Sequence, residues 1–323
     1  MRNFILFLIT IFSFTTCYSS PKGSSEIYLV PYYGRLGDQL LHYVKAKWIS
    51  HKTGLPLNVL PNSFYQGLMI EEKETFYEKI PRRANKILLA GFPTLLKKNN
   101  GAYYLVSYTP YPSWELLMKM KRDKKFYKEI RELIYPNEEL DLIKPPKEVI
   151  SVAVHLRNGG GYDKSLFSEQ TYKITNRLTK ITTAPKKKFS DIFCPLKFPP
   201  EQYYIDQIKK LSEVLDHQEI YLFLFTDDPN PKSLASRIEK WIGLNNISFH
   251  FRKNNSHDKN VLADFFSMME FDYFIRGGDS SFSVVSDFLS NHVMSIFPTS
   301  CHWEKDKEDK YYLVMDDVVY QKN

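Results

Sequence analysis

Between residues 149 and 297, apolar runs of strand length alternate with amphipathic stretches of helix length, and this alternation restricts the fold most. Strands are expected at 149–155, 219–226, 247–251, 273–275 and 293–297, and helices at 201–215, 232–241, 260–270 and 280–290. The run at 219–226 is almost continuously apolar, as a strand buried on both faces of a parallel sheet must be. Parallel neighbours need a crossover, and a helix is the usual one, so the pattern predicts a doubly wound α/β sheet. Ligands of such sheets sit beyond the carboxyl ends of the strands. Chemistry is therefore sought in the residues that follow each strand.

The first half begins the same way. Residues 27–32 read as a buried strand, followed by the turn Gly34-Arg35-Leu36-Gly37. A helix is expected at 38–52, with Leu40, Leu41, Val44 and Trp48 on one stripe and Gly54 and Pro56 at its end. Residues 57–60 supply a second strand, and the pattern over 114–134 is helical. Pro145-Pro146 marks a junction, dividing the chain into lobes at 26–148 and 149–300, with a tail at 301–323. The polar stretch 159–200 is too long for an ordinary connection and reads as a functional loop.

Composition supports two packed lobes: 323 residues, 43% hydrophobic and 15% aromatic. The net charge of +7 comes with short basic clusters at Lys97-Lys98, Lys119 to Lys125 and Lys186 to Lys188. A solvated lysine-rich surface explains them better than nucleic-acid binding, because no zinc-finger, RNA-recognition or basic-zipper pattern accompanies them. The same modest field suits an anionic small molecule. Residues 1–25 have the form of a signal peptide or an N-terminal membrane anchor: Arg2, the apolar run 4–14, then small and polar residues. Cys17 has poor flanks for lipid attachment. Cys194 and Cys301 either pair or stay as free thiols, and with no C-x-x-C pair a zinc site is not expected. Asn246-Ile247-Ser248 and Asn254-Asn255-Ser256 are glycosylation sequons.

Four strand-end segments carry candidate chemistry. In Val154-His155-Leu156-Arg157, followed by Gly159-Gly160-Gly161, strand alternation points His155 and Arg157 the same way. A guanidinium beside an open glycine loop can grip a phosphate; the alternative is an Arg paired with a surface carboxylate. Gly277-Gly278-Asp279-Ser280-Ser281-Phe282 opens a helix, where backbone N–H groups and hydroxyls form either an anion site or a plain N-cap. Asp264 is a carboxylate able to accept from a purine, or an exposed helix acid. Asp38 follows the first turn as a helix N-terminal acid or as a general base. Asp227-Asp228-Pro229 reads as a turn rather than half of a metal site.

Together, in this order, these segments resemble the fucosyltransferase superfamily that includes protein O-fucosyltransferases and α-1,2- and α-1,6-fucosyltransferases. Gly34 to Gln39 resembles its G-x-x-G-N-Q turn, and His155-Leu156-Arg157 with Asp163 its H-x-R-x-G-D motif. Leu224 to Pro229 resembles its strand and S/T-D, and Asp264 to Met269 with Ser280 to Ser283 its C-terminal block. The resemblance implies a GT-B-like fold: two Rossmann-like lobes, an N-terminal acceptor-side lobe and a C-terminal nucleotide-sugar lobe, with a donor cleft between them. It implies inverting transfer of fucose from GDP-fucose to a hydroxyl of a glycan or protein, without a metal or other cofactor, in a secretory lumen or beyond it. Arg157 would then stabilise the leaving diphosphate; the base role of Asp38 is a reading of this chain alone, since relatives carry Asn there, and altered acceptor chemistry is its alternative. Gly34, Arg35, Gly37, His155, Asp264, Ser280, Ser281 and Phe282 would hold the donor. Two departures stand out: Asn158 replaces a second Arg of many relatives, and Asp38 replaces the usual Asn. Transfer from another nucleotide sugar, or a secreted relative that binds glycans without catalysis, are the competing expectations.

Overall fold

The computed structural model describes residues 25–30, 34–78, 85–89, 102–106, 112–157, 174–175, 180–181, 195–252, 261–305 and 311–322. The first lobe contains β1 (Glu26–Leu29), α1 (Leu36–Thr53), β2 (Leu57–Val59), α2 (Ile70–Lys73), β3 (Asn85–Leu89), β4 (Ala102–Val106), α3 (Trp114–Arg122) and α4 (Lys124–Leu133). Its four strands form a parallel sheet in the order β2-β1-β4-β3. The stripe expected on α1 is buried: Leu40, Leu41, Val44 and Trp48 are each no more than 6% exposed. Gly54 ends α1 in the left-handed region at φ 68°, its N–H donating to Ser50 O. The stretch 114–134, expected to be helical, holds two helices. Asp123 breaks the run with extended backbone and caps α4 by accepting from Phe126 N. Lys52 and His51 bind the same carboxylate and, with that backbone bond, hold its pKa down near 2.

The second lobe follows the expected alternation closely. It contains β5 (Ile150–Leu156), β6 (Ile174–Thr175), β7 (Lys180–Ile181), α5 (Glu201–Val214), β8 (Ile220–Thr226), α6 (Pro231–Ile242), β9 (Ile247–Phe251), α7 (Val261–Ser267), β10 (Tyr273–Arg276), α8 (Ser281–Leu289), β11 (Met294–Lys305) and β12 (Tyr311–Lys322). The sheet order is β6-β7-β12-β11-β10-β5-β8-β9. Strands β11, β10, β5, β8 and β9 run parallel. The expected tail at 301–323 is instead structured: β11 runs on to Lys305 and pairs antiparallel with β12, so the sheet is mixed at that side. Long alternating strands that close an edge by a hairpin leave no helix signal to mark them.

The core of the first lobe extends into α7 and α8 of the second, whose sheet has apolar clusters of its own. Leu40, Val44 and Ile49 of α1 join Val285, Phe288 and Leu289 of α8 in a single cluster, which also takes in Phe265 and Phe266 of α7. Pro145-Pro146 lies between the two sheets, while α7 and α8 pack on the core of the first lobe. Behind α8, Arg276 and Asp287 form an ion pair at 2.7 Å, exposed by 1% and 0%. The Arg276 guanidinium lies 3.9 Å from the Phe297 ring and 4.9 Å from the Trp114 ring, while Asp287 also accepts from Ser295 Oγ.

Asn246 donates its side-chain amide to Ser212 Oγ at 3.1 Å and to Gln218 O at 2.8 Å, so a glycan on that nitrogen would remove at least one of the two bonds. Asn254 and Cys194 lie outside the described residues. Cys301 is a free, half-buried thiol whose pKa burial pushes up to about 11, which leaves it protonated and inert. Among the described residues no helix is long and apolar enough to cross a membrane, and the apolar run 4–14 lies outside them.

Candidate active site

The carboxyl ends of three neighbouring parallel strands coincide. In register, His155 of β5 lies between Arg276 of β10 and Phe225 of β8, and Leu156 pairs with Thr226. One step further stand Arg157 and Asp227. Across from them lies the start of α1, close to the start of α8. The space between is a cleft of about 390 Å³. Nine of the ten candidates line it: Arg35, Gly37, Asp38, His155, Arg157, Asp264, Ser280, Ser281 and Phe282. Gly34 does not. It shapes the turn instead, at φ 149°, where an added Cβ would stand 2.7 Å from Asp38 Cβ.

His155 is 6% exposed, and its ring centroid is 5.6 Å from that of Phe282. Burial lowers its pKa to about 4, and the cations Arg276 and Arg35 act the same way against the opposing pull of Asp227. At neutral pH it is therefore an uncharged imidazole. Its Nδ1 is buried without a hydrogen-bond partner among the described residues, as is Ser280 Oγ. The native state disfavours the imidazolium that the unfolded chain accepts, so stability falls as pH drops from about 6.5 to about 4. Between pH 7 and 5 the loss from this group should be on the order of 2 kcal/mol. Urea unfolding at the two pH values, with His155→Gln as reference, checks this: the variant should lose less stability than the parent.

Arg157 is 9% exposed, with Nη1 3.9 Å from Asp227 Oδ2 and its guanidinium 5.8 Å from the Phe198 ring. Lys197 also lines the cleft and sits against the same ring at 5.9 Å. It comes from the short 3-10 turn Pro195–Lys197, at the end of the stretch expected to be a functional loop. Neither Asp227 nor Lys197 was singled out from sequence. Asp227 was hidden in an apparent turn, a role that its neighbour Asp228 does play by accepting from Asn230 N at 2.6 Å.

The start of α8 faces the cleft. Ser280 precedes the first turn, yet its side chain makes no capping bond. Ser281 Oγ instead donates across the lobes to Asp38 Oδ1 at 2.6 Å, and Asp38 Oδ2 accepts from Arg35 N at 3.2 Å. Asp38 is thus both a helix N-terminal acid and the clasp between α1 and α8. Gly37 makes the clasp possible, because a Cβ there would lie 2.3 Å from Phe282 N and 2.5 Å from Phe282 Cα. Only a glycine lets the two helix starts touch backbone to backbone. Gly37→Ala should therefore cost about 1–3 kcal/mol of stability and move the start of α8. Thermal unfolding should register the first effect and nucleotide titration the second.

Asp264 was expected as an acceptor for a base. It lines the cleft, but its Oδ1 accepts from Arg252 Nε at 2.5 Å. The same guanidinium donates to Asp141 O at 3.2 Å. Arg252 had no local signal, since it follows β9 outside every strand-end motif. Among the described residues no group of three or more His, Cys, Asp or Glu side chains is placed to hold a metal ion.

Fold and site together define a two-lobed α/β protein with a cleft at the carboxyl ends of its parallel strands, lined by three cations, Arg35, Arg157 and Lys197, and three carboxylates, Asp38, Asp227 and Asp264. No family model and no curated protein matches this sequence. Among solved structures, a mutant of Arabidopsis thaliana FUT1 in complex with GDP is similar with a TM-score of 0.50 and 11% identity, covering 89% of this chain and 73% of that one. Fucosyltransferase NodZ from Bradyrhizobium is similar at TM-score 0.47 and 10% identity, covering 90% and 99%. POFUT1 in complex with GDP-fucose follows at 0.46 and 13%, covering 86% and 98%. The chain has the GT-B-like fold of the fucosyltransferases.

Proposed function

We propose that this protein is a glycosyltransferase that moves fucose from GDP-fucose to a hydroxyl of a glycan or protein acceptor. The observation that carries the reading is the convergence of Arg157, neutral His155 and the uncapped start of α8 on one cleft. Two buried polar atoms there, His155 Nδ1 and Ser280 Oγ, lack partners among the described residues. Such atoms are costly unless a ligand completes them. The expected donor site supplies the ligand chemistry: a diphosphate with many acceptors and a sugar with many hydroxyls.

In this mechanism an acceptor oxygen attacks the anomeric carbon from the face opposite GDP, which inverts that centre. The bond from that carbon to the β-phosphate oxygen breaks, and its electron pair leaves with GDP. Negative charge grows on the phosphate, where Arg157 and the first N–H groups of α8 stabilise it. Lys197 stands in the same cleft as a second cation, which offsets the Asn158 departure. The acceptor proton passes to Asp38. No metal is invoked, and the apolar stretch at 4–14 supports work in a secretory lumen supplied with nucleotide sugar.

A second reading has a specific observation behind it. Both oxygens of Asp38 already accept bonds from Ser281 and Arg35, as a purely structural clasp requires. Asp38→Asn separates the two. As base, its loss should lower kcat by about 100-fold or more with GDP affinity little changed. Near-normal turnover would reduce Asp38 to a clasp. Calorimetry with GDP and other nucleotides, followed by a donor screen with mass-spectrometric detection of transfer, tests the reading as a whole. An inert cleft would leave a glycan-binding relative.

A further inference from the structure

A second concavity, of about 640 Å³, lies on the first lobe outside the donor cleft. Its walls are Met69 and Lys73 on one side and the face of α4 on the other, which presents Lys124, Lys128 and Arg131. Tyr127 and Tyr135 supply the aromatic surface, with Tyr135 61% exposed. The site holds four cations against one carboxylate, Glu132. None of Lys73, Lys124, Lys128 or Arg131 forms an ion pair with a described carboxylate, whereas Lys47 and Lys52 nearby on α1 each do. Like charges held around one hollow repel each other, and an anion placed there relieves that repulsion.

The walls are built rather than loose. Met69 N donates to Tyr135 O at 2.8 Å, and Asn137 N to Gly67 O at 3.0 Å, so the two sides are tied by backbone. Tyr127 OH donates to Ser290 O at 3.0 Å, which fixes its ring. The same segment reaches the donor cleft: Ser63, Phe64 and Gln66 line that cleft, and Met69 lines the basic hollow three residues later. A chain of sugars leaving the reaction centre over this segment would enter the hollow.

We propose that this hollow binds the distal part of the acceptor, and that the acceptor is an acidic glycan carrying carboxylate or sulfate groups. The tyrosine faces suit the apolar faces of sugar rings, and the lysines and Arg131 suit the acidic groups. The assignment of the ligand as acceptor rests on the transferase reading above; binding itself does not.

The test uses the full chain and two labelled hexasaccharides, one sulfated and rich in uronate, the other neutral. The acidic sugar should bind more tightly, and its Kd should rise with salt. The double variant Lys124→Glu/Lys128→Glu should weaken it about tenfold, with GDP affinity and unfolding midpoint unchanged. Equal binding of both sugars, or no effect of the double variant, overturns the proposal. So does tighter, competing binding of single-stranded RNA or anionic lipid vesicles. Acidic-sugar binding without any GDP binding would instead remove the transferase reading and leave the hollow as a glycan site.

Discussion

Arg157→Ala lowers sugar transfer roughly 100- to 1000-fold, and GDP binds more weakly to the variant than to the parent. The expectation follows from position. The guanidinium is almost buried, stands at the mouth of β5 and shares the cleft with the start of α8. Charge that appears on a departing diphosphate has to be met there by groups already in place, and a fixed cation in a partly dry cleft meets it without reorganisation. The fold should survive, because the apolar residues of β5 that support the sheet, Val152, Val154 and Leu156, are untouched. Steady-state kinetics, GDP calorimetry and far-UV circular dichroism together check the three parts. A folded variant with normal transfer would remove Arg157 from the mechanism. Arg157→Lys separates charge from geometry: it keeps the cation but loses the planar fork, so partial activity is expected.

Asp287→Ala should have the largest effect on stability, about 3–5 kcal/mol. It strips the partner from a guanidinium that is 1% exposed and packed against two aromatic rings. Arg276 would keep only the carbonyls of Gly277 and Gly278 as acceptors, at 3.0 and 3.3 Å. Replacing both members, as in Arg276→Met with Asp287→Leu, should cost much less, since no buried charge is then left alone. Urea titration of the single and double variants measures the contrast. If the single variant is as stable as the double, the pair does not hold the base of α8. The loss should also reach the site, because Arg276 leads into the turn that presents Ser280 and Ser281.

Local patterns made much of this legible. The strands β5, β8 and β10 and their helices were readable because burial on both faces demands continuous apolar runs, and crossover helices demand a stripe; the edge strand β9 was readable from its alternation. The His155-x-Arg157 pair was readable because side chains alternate along a strand, and both do line the cleft. The strands β3 and β4 went unread, and so did the hairpin of β11 and β12. The break at Asp123 was also missed, although Asp is an ordinary N-cap.

Gly37 shows where sequence stops. Its place in a Gly-x-x-Gly turn pointed to a donor, and it does line the cleft, but its strictest constraint is contact with the Phe282 backbone. Asp264 is similar: its type suited a purine, and only the fold shows Arg252 on one oxygen.

By itself the sequence determined the α/β class, the β-α alternation from α5 to α8 and the strand-end positions of nearly all the candidate residues. These follow from periodicity and turn chemistry, which act over a few residues. Only the tertiary structure decided that Asp38 clasps Ser281, that Arg276 pairs with Asp287, that Lys197 joins Arg157, and that α1 and α8 share a core. Those contacts join residues 11 to 243 positions apart in the chain. Their geometry is set by packing of whole elements, which no local pattern records.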